Sequence, residues 1–321
     1  MSAVRRGSTG ASLVDLRDAV AAEVGAVVAG QAEALDLMLA ALVVGGHVLL
    51  EGPPGVAKTL LASAMARASG LDFRRAQFTP DMLPSDLTGT VILRGASATF
   101  RPGPVFTQVL LADEVNRTPP KTQAALLEAM QEGHVTVEGS THPLPDPFLV
   151  LATQNPIEFE GTYPLPEAQL DRFFVRARMT YPTDEDEVRL LQMQQRGAAG
   201  PDVGRLKSVV SADQCLAVRA EVQSTKVSDE VVRYVAAVTR CTRTLPSIAL
   251  GASPRAGAHL LAGARAWARL QGRDFATPDD VVELAPSVLA HRLILRPEAE
   301  LEGYDAEQAV AAAVAAVPVP R

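Results

Sequence analysis

The sequence has 321 residues and a formal net charge of −7, with 47% of the residues hydrophobic and 21% charged. This length suits about two domains with a large core, and the acidic balance argues against a general nucleic-acid binder. No run is long and uncharged enough to span a membrane, and neither the two cysteines nor the five histidines have the spacing of a metal site or a disulfide scaffold.

Two helices are predicted ahead of the first strand. Residues 1–14 lack the apolar segment of a signal peptide, so we expect a flexible N-terminal arm and a cytoplasmic protein. Residues 13–28 have helical periodicity, and Ala29-Gly30-Gln31 interrupts it before a second helix. This break could hold an adenine ring through main-chain polar groups and the apolar Val27 and Val28. A simple helix–helix turn explains it equally well.

The next segment has the pattern of a strand, a phosphate-binding loop and a helix start. The apolar run at residues 47–50 suits a buried strand, and helical spacing begins after Thr59. The glycines between them let backbone N–H groups turn toward an anion. Lys58 is expected to reach the β- and γ-phosphates of ATP, and Thr59 to offer its hydroxyl to Mg²⁺. The predicted nucleotide contacts are Gly52, Pro53, Pro54, Gly55, Val56, Ala57, Lys58, Thr59 and Leu60.

The loop departs from the pattern G-x-x-x-x-G-K-[ST] at its second glycine, where this chain has Ala57. We expect this residue to lie at the helix start with a φ near the helical value, so that its methyl group is tolerated. Taken alone, the loop has a second explanation, an ordinary turn rich in glycine and proline.

A second strand and a hairpin are predicted after the helix that follows the loop. Residues 73–78 form a short strand, and residues 79–87 form a short helix or loop. Residues 91–93 and 98–100 predict a hairpin that is an insertion outside the core sheet. A surface loop without a specific role is the alternative.

Two carboxylates end the third predicted strand. The apolar run at residues 105–111 leads into Ala112-Asp113-Glu114. Ligands of open α/β sheets bind just beyond the carboxyl ends of the strands, where the phosphate loop also lies. Asp113 is therefore expected to bind the nucleotide's Mg²⁺ together with Thr59, and Glu114 to polarise the attacking water. A solvated turn is the alternative for these two carboxylates.

A fourth strand ends in a polar residue that could also face the nucleotide. A helix at residues 122–131 and a second hairpin at residues 135–144 precede the apolar run at residues 148–153. This run is followed by Asn155, the candidate to hydrogen-bond the γ-phosphate or the water. With Pro156 after it, the asparagine is by itself only a turn signal.

The pattern becomes helical after a fifth strand at residues 174–179. Capping residues recur at the predicted helix starts Ser211, Ser228, Ser253 and Thr277. We therefore predict a core domain over residues 15–182, with the two hairpin insertions, and an all-helical domain over residues 183–321.

Seven short sequence motifs follow one another along the chain in a characteristic order and spacing. They are Glu51-Gly52-Pro53-Pro54-Gly55-Val56-Ala57-Lys58-Thr59, Gln77-Phe78-Thr79-Pro80-Asp81, Pro84-Ser85-Asp86, Phe100-Arg101-Pro102-Gly103-Pro104, Asp113-Glu114-Val115-Asn116-Arg117, Ala152-Thr153-Gln154-Asn155-Pro156 and Pro166-Glu167-Ala168-Gln169-Leu170-Asp171-Arg172-Phe173. Over residues 15–295 the chain resembles the AAA+ ATPases and, within them, the MoxR family.

This resemblance implies an α/β fold, an AAA+ αβα P-loop core with a central, mainly parallel sheet, followed by a smaller all-helical lid domain. It also implies roles for individual residues. Lys58 and Thr59 would be the Walker A residues, and Asp113 and Glu114 the Walker B pair.

Three further residues match motif positions of the family. Asn155 would be the sensor 1 residue, and Arg255 the sensor 2 residue. Arg172 resembles the arginine finger, which acts on the γ-phosphate of a neighbouring subunit. A surface ion pair with Asp171 or Glu167 is the alternative for Arg172, and an exposed arginine at a helix start is the alternative for Arg255.

A finger that acts between subunits has a physical reason. Phosphoryl transfer needs charge neutralisation more than covalent chemistry, and an arginine is permanently charged and can grip two oxygens. A single chain cannot easily bring Arg172 to its own γ-phosphate if this residue lies on the far side of the core. A homo-oligomer is therefore expected.

Family members are similar in forming hexameric rings that use ATP and Mg²⁺, in partnering von Willebrand factor A-domain proteins, and in having chaperone-like or metal-insertion roles. The resemblance implies an ATPase that remodels or activates a protein client, or inserts a metal cofactor into it. The two hairpins would face the pore or the client. A nucleic-acid motor and a nucleotide-dependent assembly switch are the alternatives. The acidic balance weighs against the motor, and an intact Glu114 weighs against a switch that does not hydrolyse ATP.

Overall fold

The computed structural model describes residues 12–94, 97–154, 162–195 and 202–320. Its α-helices are α1 (Leu13–Val24), α2 (Ala32–Val44), α3 (Lys58–Ala68), α4 (Pro84–Thr88), α5 (Pro120–Glu132), α6 (Glu167–Leu170), α7 (Asp184–Gln195), α8 (Ala212–Gln223), α9 (Asp229–Cys241), α10 (Pro254–Leu270), α11 (Pro278–Leu289), α12 (Pro297–Leu301) and α13 (Ala306–Ala315). Its strands are β1 (Val48–Glu51), β2 (Phe73–Gln77), β3 (Gly89–Arg94), β4 (Ser97–Pro102), β5 (Val109–Asp113), β6 (His134–Val137), β7 (Ser140–Pro143), β8 (Leu149–Gln154), β9 (Val175–Arg178), β10 (Ile248–Leu250) and β11 (Ile294–Leu295).

A five-stranded parallel sheet in the order β2-β5-β8-β1-β9 forms the centre of the fold. β5 and the first five residues of β8 are buried, as expected for parallel strands covered on both faces. Alternate residues of one strand belong to different core clusters. Leu50 packs with α1, α2 and α3 on one side of the sheet, and Leu49 packs with α5 on the other. The predicted αβα core with a parallel sheet is confirmed.

Two antiparallel hairpins lie outside this sheet. β3 pairs with β4, and β6 pairs with β7. The rings of Phe100 and His142 join the two hairpins in a stacked contact, with 3.9 Å between their centroids. Phe106 adds an edge-to-face contact with Phe100 at 5.5 Å. The two insertions therefore pack on each other as one unit.

Helices dominate the chain after β9, and their starts agree with the capping residues in the sequence. The hydroxyls of Ser211, Ser228 and Ser253 each accept a hydrogen bond from a backbone N–H in the first turn. The predicted helical lid is confirmed, with one feature that the sequence did not predict. β10 and β11 pair in a two-stranded antiparallel sheet, and both strands are too short to produce a recognisable periodicity.

The boundaries of the first helix differ from the prediction. α1 ends at Val24, four residues earlier than expected, and residues 25–31 form the turn before α2. Among the described residues, no helix is both long and apolar enough to cross a membrane.

Candidate functional site

The predicted site residues meet at the carboxyl edge of the central sheet. β8 lies between β1 and β5, and Leu50 is in register with Thr153. The loop after β1 and the carboxylates at the end of β5 therefore lie at the same edge, one strand apart. Because connections from parallel strands leave this edge, it is the usual ligand site of an open α/β sheet.

The loop between β1 and α3 has a backbone shape that depends on its small residues. A Cβ at Gly52 would lie 2.3 Å from the carbonyl oxygen of Met179, so this glycine is required by the close approach of β9. Gly55 has a φ of +86°, with open space around the position of a Cβ. The loop is therefore held against the sheet at one end and is open to a ligand at its middle.

The expectation for Ala57 was wrong. Its φ is +64° and its ψ is +27°, in the left-handed region rather than near the helical value. An L-residue in this region costs about 1–2 kcal/mol relative to the right-handed conformation. The missing glycine of the motif therefore corresponds to a strained alanine at the N-cap of α3.

Donor groups line this loop. The backbone N–H groups of Gly55 and Ala57 donate no hydrogen bond to any residue within the described ranges. The Lys58 ammonium folds back and donates to the carbonyl oxygen of Gly52 at 2.6 Å. Thr59 follows in the first turn of α3, whose N-terminus adds a partial positive charge. This set of donors fits an anion such as a triphosphate.

Thr153 links the Asp113 carboxylate to the backbone of Glu114 at the end of β5. Its hydroxyl donates to Asp113 Oδ1 at 2.6 Å and accepts the backbone N–H of Glu114 at 2.8 Å. Thr153 is buried, and the Asp113 side chain is 11% exposed. Glu114 has a φ of +59°, so the chain turns sharply here and leaves the Glu114 side chain one-third exposed at the edge.

Arg75 and Gln77, both on β2, hydrogen-bond to the Asp113 and Glu114 carboxylates. Neither residue has a role that the sequence predicted. Arg75 donates to Asp113 Oδ2 through Nε at 2.9 Å and Nη2 at 2.6 Å. The same Nη2 donates to Gln77 Oε1 at 2.8 Å, and Gln77 Nε2 donates to Glu114 Oε2 at 2.8 Å. Since a guanidinium can only donate, Arg75 fixes which end of the Gln77 amide faces Glu114.

The donor set also suits a Mg²⁺ ion bound together with a nucleotide. No cluster of three or more His, Cys, Asp or Glu side chains exists among the described residues, and Mg²⁺ bound to phosphates does not need one. It usually takes one or two protein oxygens and completes its octahedron with phosphates and water. The Thr59 hydroxyl and the Asp113 carboxylate provide oxygens of this kind.

A cleft of about 460 Å³ lies at the predicted adenine position. Its lining includes Val28, Ala29 and Gly30 from the break, Leu61 from α3, and Asp186 from α7. The backbone N–H groups of Ala29 and Gly30 form no hydrogen bond with described residues. Of the two predicted valines, Val28 lines the cleft and Val27 is not among the described residues that do. The cleft therefore lies beside α3, the helix that follows the phosphate loop, and combines apolar and charged side chains with free main-chain donors.

The remaining predicted residues have different surroundings. Arg172 lies in the turn after α6, and its side chain forms no hydrogen bond or ion pair with the described part of the chain. Arg255 lies in the first turn of α10, with Nη1 at 4.0 Å from Asp171 Oδ2. Asn155 lies outside the described residues.

A buried histidine supports the strand edge opposite this site. His47 accepts the N–H of Val150 at Nδ1 and donates from Nε2 to the carbonyl oxygen of Met130, both at 3.0 Å. Its burial lowers the pKa of the ring to about 4. His47 is therefore neutral at physiological pH and links β1, β8 and α5 as a structural residue.

Comparison with known proteins gives consistent relationships. Residues 47–175 match the ATPase family associated with various cellular activities, and residues 240–313 match the AAA lid domain. The chain is 48% identical over 296 residues to the uncharacterised protein YeaC of Bacillus subtilis, covering 92% of each chain. It is 45% identical over 288 residues to the chaperone MoxR1 of Mycobacterium tuberculosis, covering 86% of this chain and 75% of that protein.

A solved structure has the same fold over nearly the whole chain. It belongs to a protein of Cytophaga hutchinsonii described as a candidate ATPase, and it matches with a TM-score of 0.87 and 41% identity. The match covers 96% of this chain and 97% of that one.

Proposed function

This chain belongs to the MoxR-type AAA+ ATPases, and on this basis we propose that it binds Mg²⁺-ATP at the edge described above and uses hydrolysis to remodel a protein partner. The observation that carries this proposal is the common location of the loop donors and of the Asp113–Glu114 pair. Together they provide anion binding, metal binding and water activation within one site.

The loop and the cleft would bind ATP together. The adenine ring would occupy the cleft beside Val28 and Leu61, where the free N–H groups of Ala29 and Gly30 can pair with ring nitrogens. The triphosphate would follow α3 to the loop, where backbone donors and Lys58 stabilise its charge. Lys58 would exchange its contact with Gly52 for the β- and γ-phosphates.

The metal would lie between the nucleotide and the two protein oxygens. Bound there, Mg²⁺ neutralises the charge that develops on the phosphates. Thr59 would contribute its hydroxyl, and Asp113 its carboxylate. Arg75 pairs with the same carboxylate, so its charge competes with that of the metal.

Glu114 would position and polarise the attacking water. Its carboxylate is held by Gln77 at 2.8 Å and lies 3.3 Å from Arg117 Nε. These contacts fix the direction of its second oxygen, which is the acceptor available to a water proton. Asn155, the next residue in the sequence after β8, would hydrogen-bond the γ-phosphate or this water.

Arg172 and Arg255 would complete the site in an oligomer. Arg172 has no described partner on its own chain, which suits a residue that acts on the nucleotide of a neighbouring subunit. Arg255 would act on the nucleotide of its own subunit. We therefore propose a homo-oligomeric ring, with six subunits as the family resemblance implies.

A protein client is supported by the name of the relative MoxR1, a chaperone. We propose that the client is remodelled or receives a metal cofactor, that a von Willebrand factor A-domain protein acts as the partner, and that the joined hairpins face the client. The proposed compartment is the cytoplasm.

Subunit mixing tests the shared site. Arg172→Ala and Glu114→Gln should each be inactive alone, whereas a 1:1 mixture should recover about a quarter of wild-type ATPase activity, because random neighbours then combine an intact Glu114 with an intact Arg172. Arg205→Ala, an exposed arginine far from the site in the sequence, serves as the control and should keep full activity. A mixture as inactive as its components would contradict the proposal.

Two further measurements address the alternatives. Sizing chromatography with and without ATP tests ring formation. ATPase assays with and without DNA separate client remodelling from a nucleic-acid motor, since strong stimulation by DNA would favour the motor.

A further inference from the structure

Asp171, the residue before Arg172, connects the turn that contains Arg172 to the C-terminal helices. The Ser253 hydroxyl lies 2.9 and 3.0 Å from the two carboxylate oxygens of Asp171. Arg292 Nε lies 3.1 Å from Asp171 Oδ1, and Arg255 Nη1 lies 4.0 Å from Oδ2. The Asp171 carboxylate thus contacts three residues from the C-terminal part of the chain, namely Ser253, Arg255 and Arg292.

Arg292 anchors this turn from inside the protein. Its side chain is 1% exposed, and burial lowers its pKa only to about 10, so it stays charged at neutral pH. Its Nη2 donates to the backbone carbonyl oxygens of Asp171, at 3.2 Å, and of Phe173. Among the described residues, Asp171 is the only carboxylate paired with this charge. The backbone around Arg172 is therefore held by a buried charged residue.

Ser253 connects the same carboxylate to α10. Its hydroxyl accepts the N–H of Ala256 at 3.2 Å as the N-cap of this helix and donates to Asp171. Arg255 lies two residues later, in the first turn of α10, and its side chain is 44% exposed. A displacement of this turn would therefore act directly on Asp171.

We infer that Asp171 is a positioning residue that couples Arg255, on the subunit's own nucleotide, to Arg172, on the nucleotide of the neighbouring subunit. The inference rests on the proposed roles of these two arginines. When Arg255 moves to a bound γ-phosphate, the first turn of α10 moves with it. Ser253 passes this displacement to the Asp171 carboxylate, and the adjoining Arg172 changes position at the next site.

Such a coupling makes ATP hydrolysis cooperative around the ring. The Hill coefficient for ATP of the wild-type protein should exceed 1. Removing the Ser253 hydroxyl should break the coupling while leaving both arginines in place. Coupling between sites typically changes an affinity or a rate by about fivefold or more.

Ser253→Gly is the test variant, because glycine is also an accepted N-cap and should weaken the cap itself only slightly. Ser228→Gly is the matched control, since Ser228 caps α9 through Val231 in the same way and, among the described residues, contacts no carboxylate of the core domain, its one carboxylate neighbour being Glu230 of α9 itself. Ser253→Thr keeps a hydroxyl and is the conservative variant. The measurements are kcat, the Hill coefficient, the melting temperature and the affinity for a non-hydrolysable ATP analogue.

The expected result is a Hill coefficient near 1 and a kcat reduced about fivefold in Ser253→Gly, with the melting temperature matching that of Ser228→Gly. Ser228→Gly and Ser253→Thr should retain wild-type cooperativity. A wild-type Hill coefficient of 1, or a Ser253→Gly variant indistinguishable from Ser228→Gly, would overturn the coupling while leaving the proposed ATPase site intact. An inactive wild-type protein would instead remove the proposed function, and the inference with it.

Discussion

Replacing Ala57 by glycine should stabilise the protein, although glycine is usually destabilising. Ala57 has a φ of +64°, and this conformation costs an L-residue about 1–2 kcal/mol. Glycine removes that strain but adds roughly 0.5–1 kcal/mol of backbone entropy to the unfolded state. The net gain in the free energy of unfolding is about 0.5–1 kcal/mol, which corresponds to a rise in melting temperature of roughly 0.7–1.5 °C for a chain of 321 residues.

The matched control is Ala311→Gly, an exposed alanine in the middle of α13. Here no left-handed strain is relieved, and the substitution should cost about 1 kcal/mol. Thermal unfolding without nucleotide compares the two variants, and their melting temperatures should change in opposite directions. If Ala57→Gly lowers the melting temperature as much as Ala311→Gly does, the argument from backbone strain is refuted.

The affinity for ATP provides a second measurement on the same variant. The strain is already present in the loop without nucleotide, so calorimetric titration should give a dissociation constant within about twofold of wild type. A gain of about fivefold would mean that roughly 1 kcal/mol of strain arises only on binding.

Four further predictions concern the carboxylate network and a buried histidine. Glu114→Gln should lower kcat at least about 100-fold while retaining nucleotide binding. Gln77→Leu should lower kcat about tenfold, because the Glu114 carboxylate loses the donor that orients it. Steady-state ATPase assays measure both effects. Arg75→Gln should reduce the Mg²⁺ concentration for half-maximal activity by roughly two- to fivefold, since a half-exposed competing ion pair with Asp113 is removed; an unchanged Mg²⁺ titration would contradict this. His47 has a pKa lowered to about 4, so the unfolded chain binds more protons below pH 6.5 and stability falls on acidification, by about 2 kcal/mol at pH 5 from this residue. Chemical denaturation at pH 7 and pH 5 should show a smaller loss for His47→Gln than for wild type.

The buried strands, the phosphate loop and the helix starts were predictable from the sequence, because each depends on interactions between residues that are close together in the chain. Strands buried on both faces appear as apolar runs, and β1 and β8 lie within one residue of their predicted positions, whereas β5 begins at Val109, four residues later than predicted. The phosphate loop has a fixed spacing between its glycines and Lys58, and the motifs further along the sequence distinguish it from an ordinary turn rich in glycine and proline. Capping serines located the starts of α8, α9 and α10.

The conformation of Ala57 was not predictable in this way. Its φ depends on how the loop leaves Gly52, which lies directly against the carbonyl group of Met179, the residue after β9. That contact joins residues more than 120 positions apart, and nothing in the nearby sequence encodes it. From the sequence alone, an alanine next to a helix start is expected in the unstrained right-handed conformation.

The network around the carboxylates also depends on distant contacts. Arg75, Gln77 and Thr153 meet Asp113 and Glu114 because β2, β5 and β8 are neighbours in the sheet. The strand order determines these contacts, and it is a property of the packed chain rather than of any one segment.

The sequence by itself determined the strands of the central sheet, the phosphate loop, the carboxylate pair and the helical character of the C-terminal part, since each results from local periodicity or from short-range spacing. Only the tertiary structure decided the strain at Ala57, the donors that orient Glu114, and the contact of Asp171 with Ser253 and Arg292. The physical reason is that hydrogen bonds and ion pairs between distant residues form only once the sheet and the helices have packed.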